Sequence, residues 1–249
     1  MNRPDVLQQD KEPESPKQGI VFLIPTVLAE DGYDAIPAYI KNAVEACSCF
    51  FVEHERTARR YLKKIWPGIV IDQYGWYVMD KNDPSIAEAF RQVLRQGGSV
   101  GILSEAGCPG VADPGQELVT AAQQIGAKVR PLSGPSSILL ALMASGMNGQ
   151  LFRFNGYLPV EPDSRKKTLR DLESDSHKTG CTHIFIETPY RNDAMLDSIL
   201  QTCRAESRLC VAVNISSAAE SIRTMRISEW KKQKPVLHKI PVIFLLSVG

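Results

Sequence analysis

The stretch Ser104-Glu-Ala-Gly-Cys-Pro-Gly-Val-Ala-Asp-Pro-Gly115 gathers two carboxylates, a thiol and three glycines in one connection. Glycines let backbone amides and carbonyls come close to a ligand. In an open α/β sheet, ligands settle in the crevice beyond the carboxyl ends of the strands. A purely structural link there takes about two to six residues, so this one is long enough to build a site. Glu105 and Asp113 are its candidate proton acceptors. The same residues read structurally as turn glycines and, at Asp113, a helix cap. A second stretch, Leu132-Ser-Gly-Pro-Ser-Ser137, also lies between a predicted strand and a predicted helix. The amides and positive dipole end of a helix start suit a carboxylate or phosphate, and an ordinary serine cap is the structural alternative. Two such loops at neighbouring strand ends point to a shared pocket.

The elements that must hold these loops follow from hydrophobic periodicity. Gly19 to Thr26 reads as a strand, and Ile36 to Cys47 carries helical spacing. Cys49 to Glu53 is a short strand, Glu55 to Trp66 a charged helix, and Gly68 to Asp72 the next strand. Asp83-Pro84 opens a helix that Gly97-Gly98 ends, and Ser99 to Ser104 is a buried strand. Asp113 is placed to cap the following helix, with Pro114 at its first position, Gln116 at capping-box spacing and Gly126 at its end. Lys128 to Leu132 is a strand and Ser136 to Ser145 a helix. This alternation implies crossover units and a largely parallel sheet. After Gly149 the texture changes to five strand candidates with two or three helices: Phe152 to Tyr157, Thr182 to Glu187, Arg208 to Asn214, Ile222 to Ile227 and Pro241 to Ser247. The expectation is an α/β protein with a tail over residues 1–18, an N-terminal domain over 19–149 and a mixed α/β domain over 150–249.

With 249 residues, 43% hydrophobic and 23% charged, the chain has the composition of a globular protein with a real core. A net charge of +1 provides no global field for nucleic acid or anionic lipid. From Leu151 onward, 15 basic residues face 11 acidic ones, which makes the second half the more anion-friendly surface. The longest apolar run, Ile240 to Leu246, falls far short of the ~18–20 residues of a membrane span. The polar N-terminus lacks the apolar core of an export signal, so a cytoplasmic protein is expected. The six cysteines form no C-x-x-C pair and histidines are few, so reduced thiols and no metal centre are expected. G-x-G-x-x-G, G-x-x-x-x-G-K-[ST] and H-E-x-x-H are all absent, which disfavours ordinary dinucleotide, phosphate-loop and zincin chemistry.

From Ile20 to Leu246 the motifs resemble the tetrapyrrole methylase superfamily, and within it the branch of 16S ribosomal RNA cytidine 2′-O-methyltransferases. Glu105 to Gly115 is similar to that branch's D-A-G-T-P-x-I-S-D-P-G, and Pro131 to Ser137 to its P-L-P-G-P-S-A. Phe152 to Pro159 resembles F-x-F-x-G-F-L-P, and Ile186-Glu-Thr-Pro-Tyr-Arg191 resembles Y-E-S-P-H-R. The resemblance implies two α/β domains, commonly in a homodimer, with S-adenosylmethionine in the cleft between them. It places that donor against Pro25, Thr26, Gly107, Cys108, Val111, Ala112, Ser136 and Ser137, with Ile186, Ala212 and Pro241 from the second domain. Methyl transfer by direct displacement at the sulfonium follows, with Glu105, Asp113 or Glu187 assisting deprotonation of a ribose hydroxyl and RNA or a ribosomal subunit as partner. Methylation of a tetrapyrrole or other small molecule is the alternative within the fold. A non-catalytic S-adenosylmethionine-binding or RNA-binding protein is the alternative outside it.

Departures fall on the acceptor side. The branch's P-T-P-I-G-N reads Pro25-Thr-Val-Leu-Ala-Glu30, its A-E-D-T-R keeps only Glu53 and Arg56, and its A-R-E-L-T-K reads Ala212-Val-Asn-Ile-Ser-Ser217. Methyl transfer is therefore expected more firmly than the branch's own nucleotide specificity. Arg56, Arg59, Arg60, Lys63 and Lys64 form one basic run and Arg165, Lys166, Lys167 and Arg170 another. Either would hold phosphate or simply face water.

Overall fold

The computed structural model describes residues 18–80 and 83–249, so all but the last residue of the expected tail lies outside the described residues. The first sheet is built from β1 (Ile20–Leu23), β2 (Cys49–Val52), β3 (Gly75–Val78), β4 (Val100–Leu103) and β5 (Lys128–Pro131), in the order β3-β2-β4-β1-β5. Every pairing in it is parallel. Buried on both faces, β2 (Cys-Phe-Phe-Val) and β4 (Val-Gly-Ile-Leu) read as continuous apolar runs. The helices α1 (Ile40–Glu45), α2 (Glu55–Ile65), α3 (Pro84–Arg95) and α4 (Gly115–Gln124) connect these strands. As the sequence predicts, Asp83 caps α3, its Oδ1 accepting the Ser85 amide at 2.9 Å, with Pro84 at the first position.

The second sheet takes β6 (Phe152–Tyr157), β7 (Thr182–Ile186), β8 (Arg208–Val213), β9 (Ser221–Arg226) and β10 (Val242–Ser247) in the order β6-β7-β10-β8-β9. Only β6 and β7 pair in parallel, so the sheet is mixed. Helices α6 (Pro162–Thr179), α7 (Asn192–Thr202) and the short α8 (Ile227–Trp230) lie between these strands in the chain. One large core, with Leu169, Phe185, Leu196, Ile199 and Phe244 at its centre, packs α6 and α7 on one face of this sheet. The other face is covered by α5 (Ser137–Ser145). Its Ala141 and Leu142 are buried among Ile184, Cys210, Ala212, Ile243 and Leu245. So α5, which follows the last strand of the first sheet, packs on the second.

One predicted strand is displaced. Gly68 to Asp72 is not a strand: Ile69 and Ile71 are buried, but residues 71–73 form a single 3-10 turn. The third strand is Gly75–Val78, at the edge of the sheet, where Tyr77 stacks on Phe51 at 4.6 Å and Trp76 leans on Phe50 at 5.1 Å. Two buried isoleucines flanking Val70 mimic the strand signal, while the true strand, Gly75-Trp-Tyr-Val78, is a half-exposed edge only a few residues further on. Among the described residues, no helix is long and apolar enough to cross a membrane, and all six cysteines are free thiols.

Candidate functional site

In the first sheet β1 and β4 are neighbours, yet β1 connects onward to β2 on one side and β4 to β5 on the other. Adjacent strands whose connections leave in opposite directions open a crevice at their carboxyl ends, the preferred ligand position of such sheets. The long loop after β4 and the loop after β1 meet there. Thr26 N donates to Gly107 O at 2.9 Å and Gly107 N to Thr26 O at 3.2 Å, while Thr26 Oγ1 donates to Ser104 O at 3.2 Å. Gly107 has φ +77° and Gly110 φ +84°, backbone that glycine adopts freely. Ala112 takes φ +62° without being glycine, a strained geometry of the kind that collects at functional sites.

A cavity of about 320 Å³ sits on this crevice. Glu105, Gly107, Cys108, Val111, Ala112, Asp113, Ser136, Ser137 and Ile186 all line it, so the two loops singled out from sequence converge with the end of β7. Leu28, Glu53, Ile138, Phe154 and Tyr157 complete the walls. Of these, Glu53, Phe154 and Tyr157 lie within matched motifs but carry no periodic or charge signal that singles them out. A second cavity of about 650 Å³ adjoins the first. Thr26 lines this larger one, and Leu28, Ser104, Glu105 and Ala106 line both.

Pro25, Ala212 and Pro241, also expected at the site, line neither cavity. Pro25 is buried beneath the loops, its carbonyl accepting the Tyr61 hydroxyl at 2.6 Å and its ring pressed against Gly134. Ala212 is buried within β8, paired with Ile243. Proximity in the family motif gave no information on which face of the strand such a residue occupies.

The three candidate carboxylates have different surroundings. Both oxygens of Asp113 are occupied, Oδ2 accepting Gly110 N at 2.8 Å and Oδ1 accepting Gly115 N at 2.7 Å, so this side chain locks the loop. It does so one residue earlier than a helix cap would: Pro114 occupies the cap position of α4, and the Gln116 capping box does not form. Glu187 is buried and outside both cavities, its Oε1 taken by Arg191 Nη2 at 2.6 Å and Thr188 N at 2.6 Å. Glu105 is exposed where the two cavities meet, and its backbone amide is fixed by Glu53 Oε1 at 2.9 Å. Cys108 directs its Sγ at the carbonyls of Gly134 and Pro135, at 3.7 and 3.5 Å, and burial raises its pKa above the usual thiol range.

One further cluster carries ligand-type atoms. Asp175, Cys181 and His183 bring an oxygen, a sulfur and a nitrogen within 4.8 Å of one another. The Asn155 amide nitrogen, which also donates to Ile184 O, faces His183 Nδ1 at 3.4 Å. His183 Nε2 lies 2.9 Å from Asp175 Oδ2, and burial holds the ring's pKa below the usual imidazole range. A buried histidine beside a carboxylate describes this arrangement better than a metal centre does.

In both sequence and fold, the chain is similar to known proteins. The chain is 35% identical over 150 residues to a protein named ribosomal RNA small subunit methyltransferase I from Vibrio cholerae serotype O1, covering 60% of this chain and 51% of that protein. It is 31% identical over 212 residues to the protein of the same name from Micromonospora olivasterospora, covering 85% of this chain and 64% of that one. The match thus spans between half and two thirds of these relatives' length. Among solved structures, the methyltransferase CobJ superposes with a TM-score of 0.60 at 15% identity, covering 93% of this chain and 95% of that one. A uroporphyrin-III C-methyltransferase from Thermus thermophilus, complexed with S-adenosylhomocysteine, superposes with a TM-score of 0.55 at 16% identity, covering 92% and 97%. These two share the fold of paired sheets. Residues 33–231 match the family described as tetrapyrrole (corrin/porphyrin) methylases, a span that includes the long loop, the serine loop and most of the second sheet, and the chain belongs to that family.

Proposed function

We propose that this protein is an S-adenosylmethionine-dependent methyltransferase that modifies small-subunit ribosomal RNA at a ribose 2′-hydroxyl. The observation that carries the reading is the convergence of the Glu105–Asp113 loop, Ser136, Ser137 and Ile186 on one cavity, with Glu105 shared with a larger neighbour. The names of the relatives support the RNA acceptor.

The fit to the donor rests on a cradle that a Cβ would fill. At Gly107 a Cβ would stand 3.1 Å from Leu28 Cδ2 and 3.3 Å from Pro135 O, beside the cavity wall. Gly107, Cys108, Val111, Ala112, Ser136, Ser137 and Ile186 would hold the donor there. Bound there, it supplies an electrophilic methyl group. Glu105 is then the carboxylate placed to accept the hydroxyl proton, because Asp113 has both oxygens engaged by its own loop and Glu187 is buried outside both cavities. Glu53 holds the loop that presents it.

The test is transfer of labelled methyl from S-adenosylmethionine to small-subunit RNA from a strain lacking its own enzyme. Label in RNA is expected, and label confined to small molecules would overturn the RNA acceptor. Glu105→Gln is expected to lower turnover by roughly 100-fold, the usual contribution of a positioned general base, with donor affinity unchanged. Asp113→Asn should instead weaken the donor, because it loosens the loop. Equal behaviour of the two variants in both assays would remove Glu105 from the role. A cytoplasmic homodimer belongs to the same proposal. Leu139 and Met143, one turn apart on α5 and 51% and 79% exposed, give it an apolar surface to cover. Light scattering that returns the 27.6 kDa monomer mass at assay concentration would reject the dimer.

A further inference from the structure

The basic helix α2 turns Ala58, Tyr61 and Leu62 into the core. At about 100° per residue, Arg56, Arg60 and Lys63 fall together on the opposite face, in steps of four and three residues, about 6 and 4.5 Å along the axis. The cations of this helix are not equivalent. Arg59 is committed: it pairs with Glu55 at 2.8 Å, reaches Asp72 at 3.5 Å and lies 5.0 Å from the Trp76 ring centre. Lys64 sits 5.5 Å over the Tyr33 ring. Arg56, Arg60 and Lys63 form no ion pair among the described residues.

Their positions relative to the site give these charges a use. Arg60 and Lys63 line the 650 Å³ cavity, which shares Glu105 with the donor cavity. Arg56 lines another opening, of about 620 Å³, which shares Glu53 with the donor cavity. The ladder therefore borders the site on both sides of the Glu53–Glu105 contact. A compact anion would occupy one opening and one or two cations. A row of unpaired cations at one-turn spacing, continuing past the reaction point, fits an extended chain of regularly spaced negative charges.

We propose that Arg56, Arg60 and Lys63 are the phosphate track of the acceptor site, and that the acceptor enters as a single-stranded phosphodiester chain lying along α2. This rests on the reading of an RNA acceptor and adds the strand's form and path. The basic run Lys166, Lys167 and Arg170 on α6 lines none of these cavities and is the control.

The experiment measures binding of a labelled single-stranded oligoribonucleotide between about 50 and 200 mM salt, where each phosphate contact to a single strand adds about 0.7 to the slope of log K against log salt. The triple variant Arg56→Gln, Arg60→Gln, Lys63→Gln is expected to bind at least tenfold more weakly at the low end and to lose about 2 from that slope. Its affinity for S-adenosylmethionine should equal that of the wild type. The α6 triple Lys166→Gln, Lys167→Gln, Arg170→Gln should keep the wild-type slope. A wild-type slope in the α2 variant, or an equal loss in the α6 variant, overturns the track. Methyl transfer to RNA with an unchanged α2 slope would sink the track and leave the proposed activity standing. A lost slope with no methyl transfer from the wild type would do the reverse.

Discussion

Gly107→Val is expected to weaken S-adenosylmethionine at least tenfold, equivalent to ~1.4 kcal/mol of binding free energy. Two effects act together. The residue sits at φ +77°, where a β-branched side chain is strained, and its Cβ would press on Leu28 Cδ2 at 3.1 Å and Pro135 O at 3.3 Å, both beside the cavity. Gly107 also carries the two-way backbone bridge to Thr26, so some folding stability goes with it. Gly126→Val separates these contributions. Gly126 has φ +69° at the end of α4, but no atom lies within 4 Å of its would-be Cβ, so this variant is strained without touching the site. Calorimetry should find donor affinity lost in the first and kept in the second. Equal affinity in both would mean that the Glu105–Gly115 loop does not hold the donor.

Gly134→Ala is expected to have the largest effect on folding and binding together. A Cβ there would lie 2.1 Å from Pro25 Cβ and 2.4 Å from Pro25 Cγ, closer than any real contact. The proline ring cannot rotate away, so the loop that carries Ser136 and Ser137 must shift. Overpacking of this kind destabilises by about 1–3 kcal/mol. The shift also moves the Gly134 and Pro135 carbonyls that face Cys108. A lowered melting temperature and a donor affinity beyond the measurable range are expected. Transposing the bulk gives a direct check, since Pro25→Gly combined with Gly134→Ala removes the colliding atoms and should recover part of both. Failure of the pair to recover anything, or a wild-type melting curve for the single variant, would refute the packing account.

The α/β class, the parallel first sheet and the mixed second one were legible because buried parallel strands and amphipathic helices leave periodic traces. The two loops were legible because a stretch of three glycines, two carboxylates and a thiol between a strand and a helix has few structural uses. What stayed hidden depends on distance across the fold. That Glu187 is held by Arg191 and Asp113 by its own loop amides is set by side-chain partners, and nothing in residue spacing distinguishes them from Glu105. Gly134 lay in plain view within Leu132–Ser137, yet its reason for being glycine is a proline more than 100 residues earlier in the chain. The sorting of Arg59 from Arg60 likewise needed Asp72 and Trp76, which arrive from another turn of the chain.

Helix α5 follows the five strands of the first sheet but buries Ala141 and Leu142 against the second. A gene fragment stopped at residue 149 would carry a greasy helix with nothing to cover, and one begun at residue 150 would leave a sheet face bare. The natural seam for grafting one half onto another protein is instead Leu132–Ser136, just ahead of α5. That seam ends within the wall of the 320 Å³ cavity, at Ser136. A chimera assembled to exchange acceptor preference would therefore always be spliced through the pocket proposed for the donor, and its two halves would have to be matched there before either could be judged.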